Sequence, residues 1–118
     1  MLKQYSMFIG RYQPWHEGHR WFIDQRLKEG KNVWVAIRNR PDTPEEPWGA
    51  DRVKTNIENE LSDLIQEGKV FVSIIPDIES VNYGRNVGYE IIEHKPPTKI
   101  KKVSATKIRQ KLRKSGKL

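Results

Sequence analysis

Two histidines on either side of a glycine, His16 and His19 around Gly18, are the side chains in this sequence best suited to chemistry. They follow an apolar run that ends at Gly10, and an amphipathic segment begins between them. A helix therefore starts here and leaves backbone N–H groups unpaired. A helix start of this kind favours bound anions. Gly18 removes a Cβ where a ligand must approach the backbone, and Arg11 supplies a permanent cation. The stretch predicts a binding site for phosphate groups.

Alternating apolar runs and helical patterns predict the elements that position this site. The expected order is strand, helix, strand, helix, strand, at residues 5 to 9, 17 to 29, 33 to 38, 51 to 67 and 70 to 75. Near-continuous apolar strands are typical of a parallel sheet that is covered on both faces. We therefore predict an α/β fold, a single Rossmann-like domain over residues 1 to 118, with a mainly parallel sheet flanked by helices. The histidines then lie at the carboxyl edge of the sheet, where ligands bind in such folds.

The loop after the second strand is rich in proline and carries a tryptophan. Residues 39 to 50 hold three prolines and Gly49, so the strand cannot continue through them. Because the loop follows the C-terminal end of a strand, Trp48 is placed to stack on a base or another ring of a ligand. Alternatively, Trp48 is a hydrophobic plug that anchors a long loop. The sequence leaves both interpretations open.

The segment after the third strand has a mixed pattern. Residues 78 to 94 fit two short strands about a turn that contains Gly84 and Arg85, with residues 89 to 93 as the second strand. The turn then offers backbone groups and a cation to a ligand. Alternatively, Gly84 is an ordinary turn glycine and Arg85 is a solvated charge.

The C-terminal segment is expected to add one strand and one helix. Two prolines break the chain, and residues 99 to 103 fit a short edge strand. Ser104 or Thr106 is able to cap a final helix, because short hydroxyl side chains accept hydrogen bonds from the first backbone N–H groups of a helix. The inner stripe of that helix would be Ile108 and Leu112.

Length and composition limit the classes of protein to be considered. The 118 residues fit one domain with one modest core. The absence of cysteine excludes disulfides, thiolate zinc sites and a cysteine nucleophile. We expect a soluble, cytoplasmic protein without a signal peptide or a membrane span, because no apolar run approaches the roughly 18 residues that a spanning helix needs.

The net charge of +7 is distributed unevenly. Residues 1 to 94 carry twelve basic and fifteen acidic side chains, a balance of −3, whereas residues 95 to 118 carry ten basic side chains and no acidic one. Such a tail attracts polyanions, whether a triphosphate or a nucleic acid. Aromatic residues among the basic ones would favour nucleic acid, but no aromatic residue follows Tyr89. A nucleic-acid partner is therefore not expected.

The stretch from Gly10 to His19, GRYQPWHEGH, closely resembles the GRFQPxHxGH signature of the small nucleotidyltransferases. Its Arg-aromatic-Gln-Pro form is most similar to archaeal-type nicotinamide-nucleotide adenylyltransferases and to related small adenylyl- and cytidylyltransferase domains. Near the C-terminus, residues 103 to 109, VSATKIR, are similar to the family's second signature, ISSTxIR. Ala105 replaces its usual second Ser or Thr, which removes one hydroxyl donor. A lone His-x-Gly-His would equally suit ordinary loop histidines, so the interpretation depends on the ten-residue match.

The resemblance implies transfer of AMP or CMP from ATP or CTP to a phosphorylated small molecule, with release of pyrophosphate. His16, His19 and Arg109 would be the catalytic residues. The nucleotide would be bound by a larger set: Gly10, Arg11, Tyr12, Gly18, Gly84, Arg85, Ser104 and Thr106. Trp48 and Arg52 would contact the acceptor, because the segment PWGADR resembles one that opens the middle helix in the family. Mg²⁺ would accompany the nucleotide, held by phosphates and water rather than by protein ligands.

Two other classes of function stay open from the sequence. One is a basic nucleic-acid-binding module that uses residues 95 to 118, and the other is a nucleotide-binding protein without turnover. The acceptor and the choice between ATP and CTP are open as well, although the GRYQPWHEGH form favours adenylyl transfer by resemblance. A homo-oligomer is also open, since small relatives often pair through sheet edges or helices.

Overall fold

The computed structural model describes residues 2–44, 47–85, 88–102, 105–114 and 116, apart from the side chains of residues 105 and 106. Its three strands are β1 (Tyr5–Gly10), β2 (Asn32–Asn39) and β3 (Val70–Pro76). They form one sheet in the order β1-β2-β3, and both pairings are parallel. All three carboxyl ends therefore meet at one edge of the sheet.

Helices connect the strands and follow the last of them. Helix α1 (Glu17–Leu27) joins β1 to β2, and α2 (Ala50–Glu60) and α3 (Ser62–Gln66) join β2 to β3. Two more helices, α4 (Thr98–Lys101) and α5 (Ala105–Lys114), lie near the C-terminus. The predicted α/β fold, with a parallel sheet flanked by helices, is confirmed.

The core lies between the helices and one face of the sheet. Side chains along a strand point alternately to its two faces, and Val33, Val35 and Ile37 of β2 share the face that is buried. Helices α1 and α2 contribute Ile23, Val53 and Ile57 to the same cluster. Leu61, between α2 and α3, adds a further buried side chain. This packing fixes the carboxyl edge of the sheet, from which the candidate site extends.

The opposite face of the sheet is only partly covered. Met7, Trp34 and Phe71 lie side by side across the three strands, and Phe71 is 47% exposed. The Trp34 and Phe71 rings stack with their centroids 6.1 Å apart, and Trp34 Nε1 donates to Ser73 Oγ at 2.7 Å. The prediction that both faces are covered is therefore wrong. In the described residues that follow β3, no helix lies over this face, because the chain returns to α1 instead.

Three other details of the predicted order are corrected. The helix expected at residues 51 to 67 is divided at Leu61, whose backbone has φ −110° and ψ 19° and whose side chain turns into the core. Residues 78–85 and 88–94 contain no strand, and Gly88, just before residue 89, has a φ of 87°, which a regular strand does not contain.

The edge strand expected at residues 99 to 103 is also wrong where the structure describes it. Pro97 has the backbone of a helix N-cap, and its carbonyl accepts the N–H groups of Ile100 and Lys101 at 2.9 and 3.0 Å. The fixed φ of proline thus starts the turn that becomes α4. No helix in the described part of the chain has the length and apolar character that crossing a membrane requires.

Candidate functional site

Residues 11 to 16 join the carboxyl end of β1 to α1, and we call them the histidine loop. His16 is the N-cap of α1, and His19 is three residues further on, in the first turn of that helix. Tyr12 has a φ of 55°, a conformation that non-glycine residues rarely adopt, and its hydroxyl donates to the Phe8 carbonyl at 2.8 Å. Both histidines therefore lie at the edge of the sheet where the sequence predicts them.

The two histidines cap the helix for each other. His16 Nδ1 accepts the backbone N–H of Gly18 at 3.0 Å, and His19 Nδ1 accepts the backbone N–H of His16 at 3.1 Å. This is the reciprocal pattern of a capping box, with imidazoles in place of the usual hydroxyl and carboxylate. Their rings stack with centroids 3.8 Å apart and an interplanar angle of 23°. The pair forms one rigid unit at the start of α1.

These hydrogen bonds determine where each imidazole carries its proton. A backbone N–H can only donate, so each Nδ1 is an unprotonated acceptor and each neutral ring carries its proton on Nε2. Burial lowers the pKa of His16 despite the opposing effect of Glu17. Burial, followed by the neighbouring His16, lowers the pKa of His19 to about 3. Near pH 7 the site therefore offers two adjacent, neutral Nε2–H donors.

The low pKa of His19 predicts a specific pH dependence of stability. An unfolded imidazole titrates near 6.5 and the folded His19 near 3, so between these values the unfolded chain binds more protons. The free energy of unfolding is then highest above pH 6.5 and decreases as the pH falls towards 3. One such group contributes at most about 1.4 kcal/mol per pH unit, and less where solvent reaches the ring.

Urea unfolding at pH 7, 5.5 and 4.5 measures this effect. We expect His19→Asn to make the decrease in stability shallower, because asparagine binds no proton in this pH range. An identical slope in the wild type and in His19→Asn would contradict the assigned titration.

Gly18 is required by the ring of His16. A Cβ at position 18 would lie 2.8 Å from His16 Cε1 and 3.0 Å from His16 Nδ1, so the imidazole would have to leave its capping position. We expect Gly18→Ala to displace His16 and to lower any activity of the site by at least about tenfold, even though alanine has the higher helix propensity.

Gly49→Ala is the matched change at the start of another helix, because the only described atoms that its Cβ would meet are those of the Asp42 carboxylate, at 3.9 Å. The rate in an activity assay and the NMR signals of the His16 ring check both variants. An undisturbed His16 ring in Gly18→Ala would overturn this explanation of the glycine.

Gln13 fastens the histidine loop to the proline-rich loop. Its Nε2 donates to the Trp48 carbonyl at 2.6 Å, and its Oε1 accepts the Trp48 N–H at 3.1 Å. The side chain is 2% exposed, so both bonds are protected from water. A buried amide with both ends bonded to backbone holds the loop in one conformation.

Arg11 fastens the loop to the end of β2. Its Nη1 lies 3.2 Å from the carbonyls of Arg38 and of Arg40, and its side chain is buried. The structure therefore shows Arg11 in a structural contact, and a contact with phosphate stays a prediction. Gly10 makes room for the same loop, because a Cβ there would lie 3.0 Å from Tyr12 Cζ.

Arg109 brings α5 to the histidine loop. It is 8% exposed, and its Nη1 donates to the carbonyl of Gln13. The sequence separation between these residues is 96, so only the fold reveals this contact. The positive charge of Arg109 thus lies at the loop that ends in His16, and its contact with phosphates stays a prediction. Ser104 lies outside the described residues, and Thr106 lies in α5 with its side chain outside the description.

A cleft of about 290 Å³ opens beside the histidine loop. Its lining is mostly apolar and includes one of the two histidines: Phe8, Ile9, Gly10, Arg11, Tyr12, His19, Phe22 and Ile23. The third histidine of the chain packs against this lining, since His94 stacks on Phe8 with ring centroids 5.9 Å apart. The volume is at the lower end of the range for small-molecule sites. It suits one planar ring system next to His19.

Trp48 is the plug of the proline-rich loop rather than an open stacking surface. The residue is 9% exposed and belongs to the core cluster. Its Nε1 is buried without a hydrogen-bond partner among the described residues, and the Arg52 guanidinium lies 4.0 Å above its ring. Of the two interpretations left open by the sequence, the packing one is confirmed. A role of Trp48 or Arg52 in binding an acceptor stays a prediction.

Gly84 and Arg85 are not brought to the histidine loop by any contact within the described residues. Both are exposed, and no atom of the described residues lies within 4 Å of a Cβ built on Gly84. The contact of Gly84 and Arg85 with a nucleotide stays a prediction.

Two residues of the site were not identified from the sequence. Gln13 is part of the GRYQPWHEGH stretch, and its position there could have indicated a role in the site. Its partner Trp48, however, is remote in sequence. His94 had no pattern to indicate it, because its contact with Phe8 depends on the path of the chain after β3.

Among the described residues, no group of three or more His, Cys, Asp or Glu side chains is placed to hold a metal ion. A scan against protein-family models finds no match for this chain, and a search of curated proteins finds no similar sequence. The function is therefore inferred from the geometry of the histidine pair and its surroundings.

Proposed function

We propose that this protein is a nucleotidyltransferase that moves AMP or CMP from a nucleoside triphosphate to the phosphate of a small-molecule acceptor, releasing pyrophosphate. The observation that carries this proposal is the pair of neutral Nε2–H donors on His16 and His19, at a helix start beside the buried Arg109. Neutral donors, a helix N-terminus and a fixed cation together favour a polyphosphate.

The chemistry of the reaction matches neutral histidines. An oxygen of the acceptor phosphate attacks the α-phosphorus, a new P–O bond forms, and the bond to the bridging oxygen of pyrophosphate breaks with its electron pair. The attacking phosphate is already ionised near pH 7, so no general base has to remove a proton. The reaction instead needs preorganised hydrogen-bond donors, which stabilise the negative charge that develops on the α-phosphate and on the leaving oxygen. His16 and His19 supply such donors, and their capping bonds keep them oriented before the substrate arrives.

Arg109 acts at the other end of the triphosphate in this proposal. Its charge is held at the histidine loop by Gln13, so it is available to stabilise the β and γ phosphates and then the released pyrophosphate. Thr106 and Ser104 would add hydroxyl donors by resemblance. Mg²⁺ would enter with the nucleotide, bound by its phosphates and by water, and would neutralise part of the charge that accumulates.

The apolar cleft beside His19 is the place we propose for the base of the nucleotide. Its aromatic lining favours a planar ring, and stacking tolerates either adenine or cytosine. We propose adenylyl transfer as the first activity to test, because of the resemblance of the GRYQPWHEGH stretch. The cytoplasm, where nucleoside triphosphates are made and used, is the location that we propose for it.

Isothermal titration with Mg²⁺-ATP and Mg²⁺-CTP tests the binding half of the proposal. We expect saturable binding of at least one triphosphate and much weaker binding of the corresponding nucleoside, since the phosphates make the polar contacts. Binding without turnover against any phosphorylated acceptor would favour a nucleotide-binding protein. The absence of heat with both triphosphates would contradict the proposal.

A further inference from the structure

The C-terminal part of the chain presents a dense basic surface. Every basic side chain described between residues 95 and 114 is exposed, with the exception of Arg109, and no acidic residue occurs from residue 95 to the end. We call the exposed set the tail surface: Lys95, Lys99, Lys101, Lys102, Lys107, Lys111, Arg113 and Lys114. In the proposed function, the buried Arg109 binds the triphosphate. The eight exposed cations of the tail surface are not needed for that ligand.

Helix α5 arranges part of this surface in a row. Lys107, Lys111 and Lys114 are four and three residues apart, so they lie on one side of the helix, with about 6 Å and 4.5 Å of axial rise between them. Within the described residues, Lys111 and Lys114 form no ion pair with an acidic side chain. Their charges are therefore not neutralised by any acidic group in the described part of the chain.

The apolar side of α5 is used inside the protein. Ile108 and Leu112 are half-buried, and Leu112 packs against the core cluster. A helix that binds a membrane surface must instead insert its apolar side chains between lipids. With these side chains turned inward, the exposed side chains described for α5, residues 107 to 114, are all basic or polar. The ligand of this surface is therefore recognised through charge.

We propose that the tail surface binds the phosphate backbone of a nucleic acid, as a second binding site distinct from the histidine site. Regularly spaced cations without aromatic neighbours suit repeated phosphates and offer no stacking platform for bases. Binding is then independent of base sequence and strongly dependent on salt. The sequence alone disfavoured a nucleic-acid partner because aromatic residues are missing, but a backbone-only mode does not need them.

The tail surface also adjoins the histidine site. Helix α4 packs against α1, and the Ile100 carbonyl lies 3.9 Å from the position of a Cβ on Gly18. Arg109 faces the histidine loop, whereas Lys111 and Lys114 on the same helix are exposed. Helix α5 thus carries a buried cation at the histidine site and exposed cations on the tail surface. Each binding site can therefore be removed by mutation without changing the other.

Fluorescence anisotropy with a labelled single-stranded 20-nucleotide DNA of mixed sequence, and with RNA of the same sequence, tests this proposal on the full chain. The test variant is the triple change Lys107→Gln, Lys111→Gln and Lys114→Gln. The control removes the same charge from the body of the protein through Lys31→Gln, Lys54→Gln and Lys69→Gln. We expect the test variant to raise the Kd at least tenfold, and the control to raise it less than threefold.

Salt and competing ligands complete the test. The slope of log K against log salt should become less steep by about 2 in the test variant, because each lost contact with a single strand contributes about 0.7. The affinity for Mg²⁺-ATP should stay within twofold, so failure here is separable from failure of the proposed function. Equal losses of oligonucleotide affinity in the test and control variants would show that binding depends only on the net charge of the protein, and would overturn the proposal. Tail-dependent binding to vesicles of equal phosphatidylcholine and phosphatidylglycerol, without binding to the oligonucleotides, would also overturn it.

Discussion

We expect His19→Asn to lower the rate of pyrophosphate release by about 10² to 10³-fold, the loss that follows removal of one preorganised donor in comparable sites. Asparagine places an oxygen near the position of Nδ1, so it still accepts the backbone N–H of His16. It has no group at the position of Nε2, so it removes only the donor that faces the phosphates in the proposed mechanism. The midpoint of thermal unfolding should change by a few degrees at most.

His16→Asn is the matched test at the other member of the pair. Asparagine is among the best N-cap residues, so the Gly18 N–H keeps an acceptor and α1 keeps its start. We expect stability to be preserved and activity to fall to a similar extent. A rate within threefold of the wild type in either variant, with the fold intact by circular dichroism, would show that the Nε2 donors are not used in the reaction.

We expect Arg109→Ala to weaken the binding of Mg²⁺-ATP by about ten- to a hundredfold, as for the loss of one charge-assisted contact. Lys114→Ala, on the same helix, should weaken it less than twofold, because its exposed charge acts only through screened, long-range attraction. The comparison uses isothermal titration at two salt concentrations, since screening erases the Lys114 effect and leaves the Arg109 effect.

Arg109→Ala also leaves the buried carbonyl of Gln13 without this donor, so stability should fall by about 1 to 3 kcal/mol. Arg109→Lys keeps a cation and a donor in the same place, and it should recover part of both losses. Equal losses of ATP affinity in Arg109→Ala and Lys114→Ala, both erased by salt, would assign Arg109 to the tail surface rather than to the histidine site.

The sequence predicted the parts of the fold that depend on local pattern. Three apolar runs became the three parallel strands, and the glycine after residue 29 ended α1 within two residues of the expected place. The histidine loop was located by the glycines on either side of it, Gly10 and Gly18, and by the apolar run before it. These features depend on side-chain periodicity and on backbone freedom, which a sequence displays directly.

The contacts that hold the site together were not predictable in the same way. Gln13 bonds to the backbone of Trp48 and Arg11 to the backbone of Arg38, and backbone partners leave no trace in the residue types. Arg11 was therefore expected at phosphate, although the structure places its guanidinium against carbonyl groups. The neutral state of His19 also needs the fold, because it follows from burial and from the hydrogen bond at Nδ1.

The path of the chain after β3 was the least predictable feature. Tyr89 and Ile91 alternate with polar residues as in a strand, but both are exposed and unpaired with any described strand. Alternation over so few residues is too weak to form a strand here, because a glycine at φ 87° precedes them and two prolines follow. Likewise, the apolar run of β3 did not reveal that Phe71 would lie on an open face of the sheet.

The most direct test of the central claim is a pyrophosphate-release assay with Mg²⁺-ATP or Mg²⁺-CTP against a panel of phosphorylated small molecules. The nucleotide carries a label on its α-phosphate, so that transfer is distinguished from hydrolysis. We predict pyrophosphate release that requires both an acceptor and His19, with the label recovered in a product that joins the acceptor phosphate to the nucleoside monophosphate. Release that is independent of the acceptor, or label transfer that is equal in the wild type and in His19→Asn, would contradict the assignment of this site to nucleotidyl transfer.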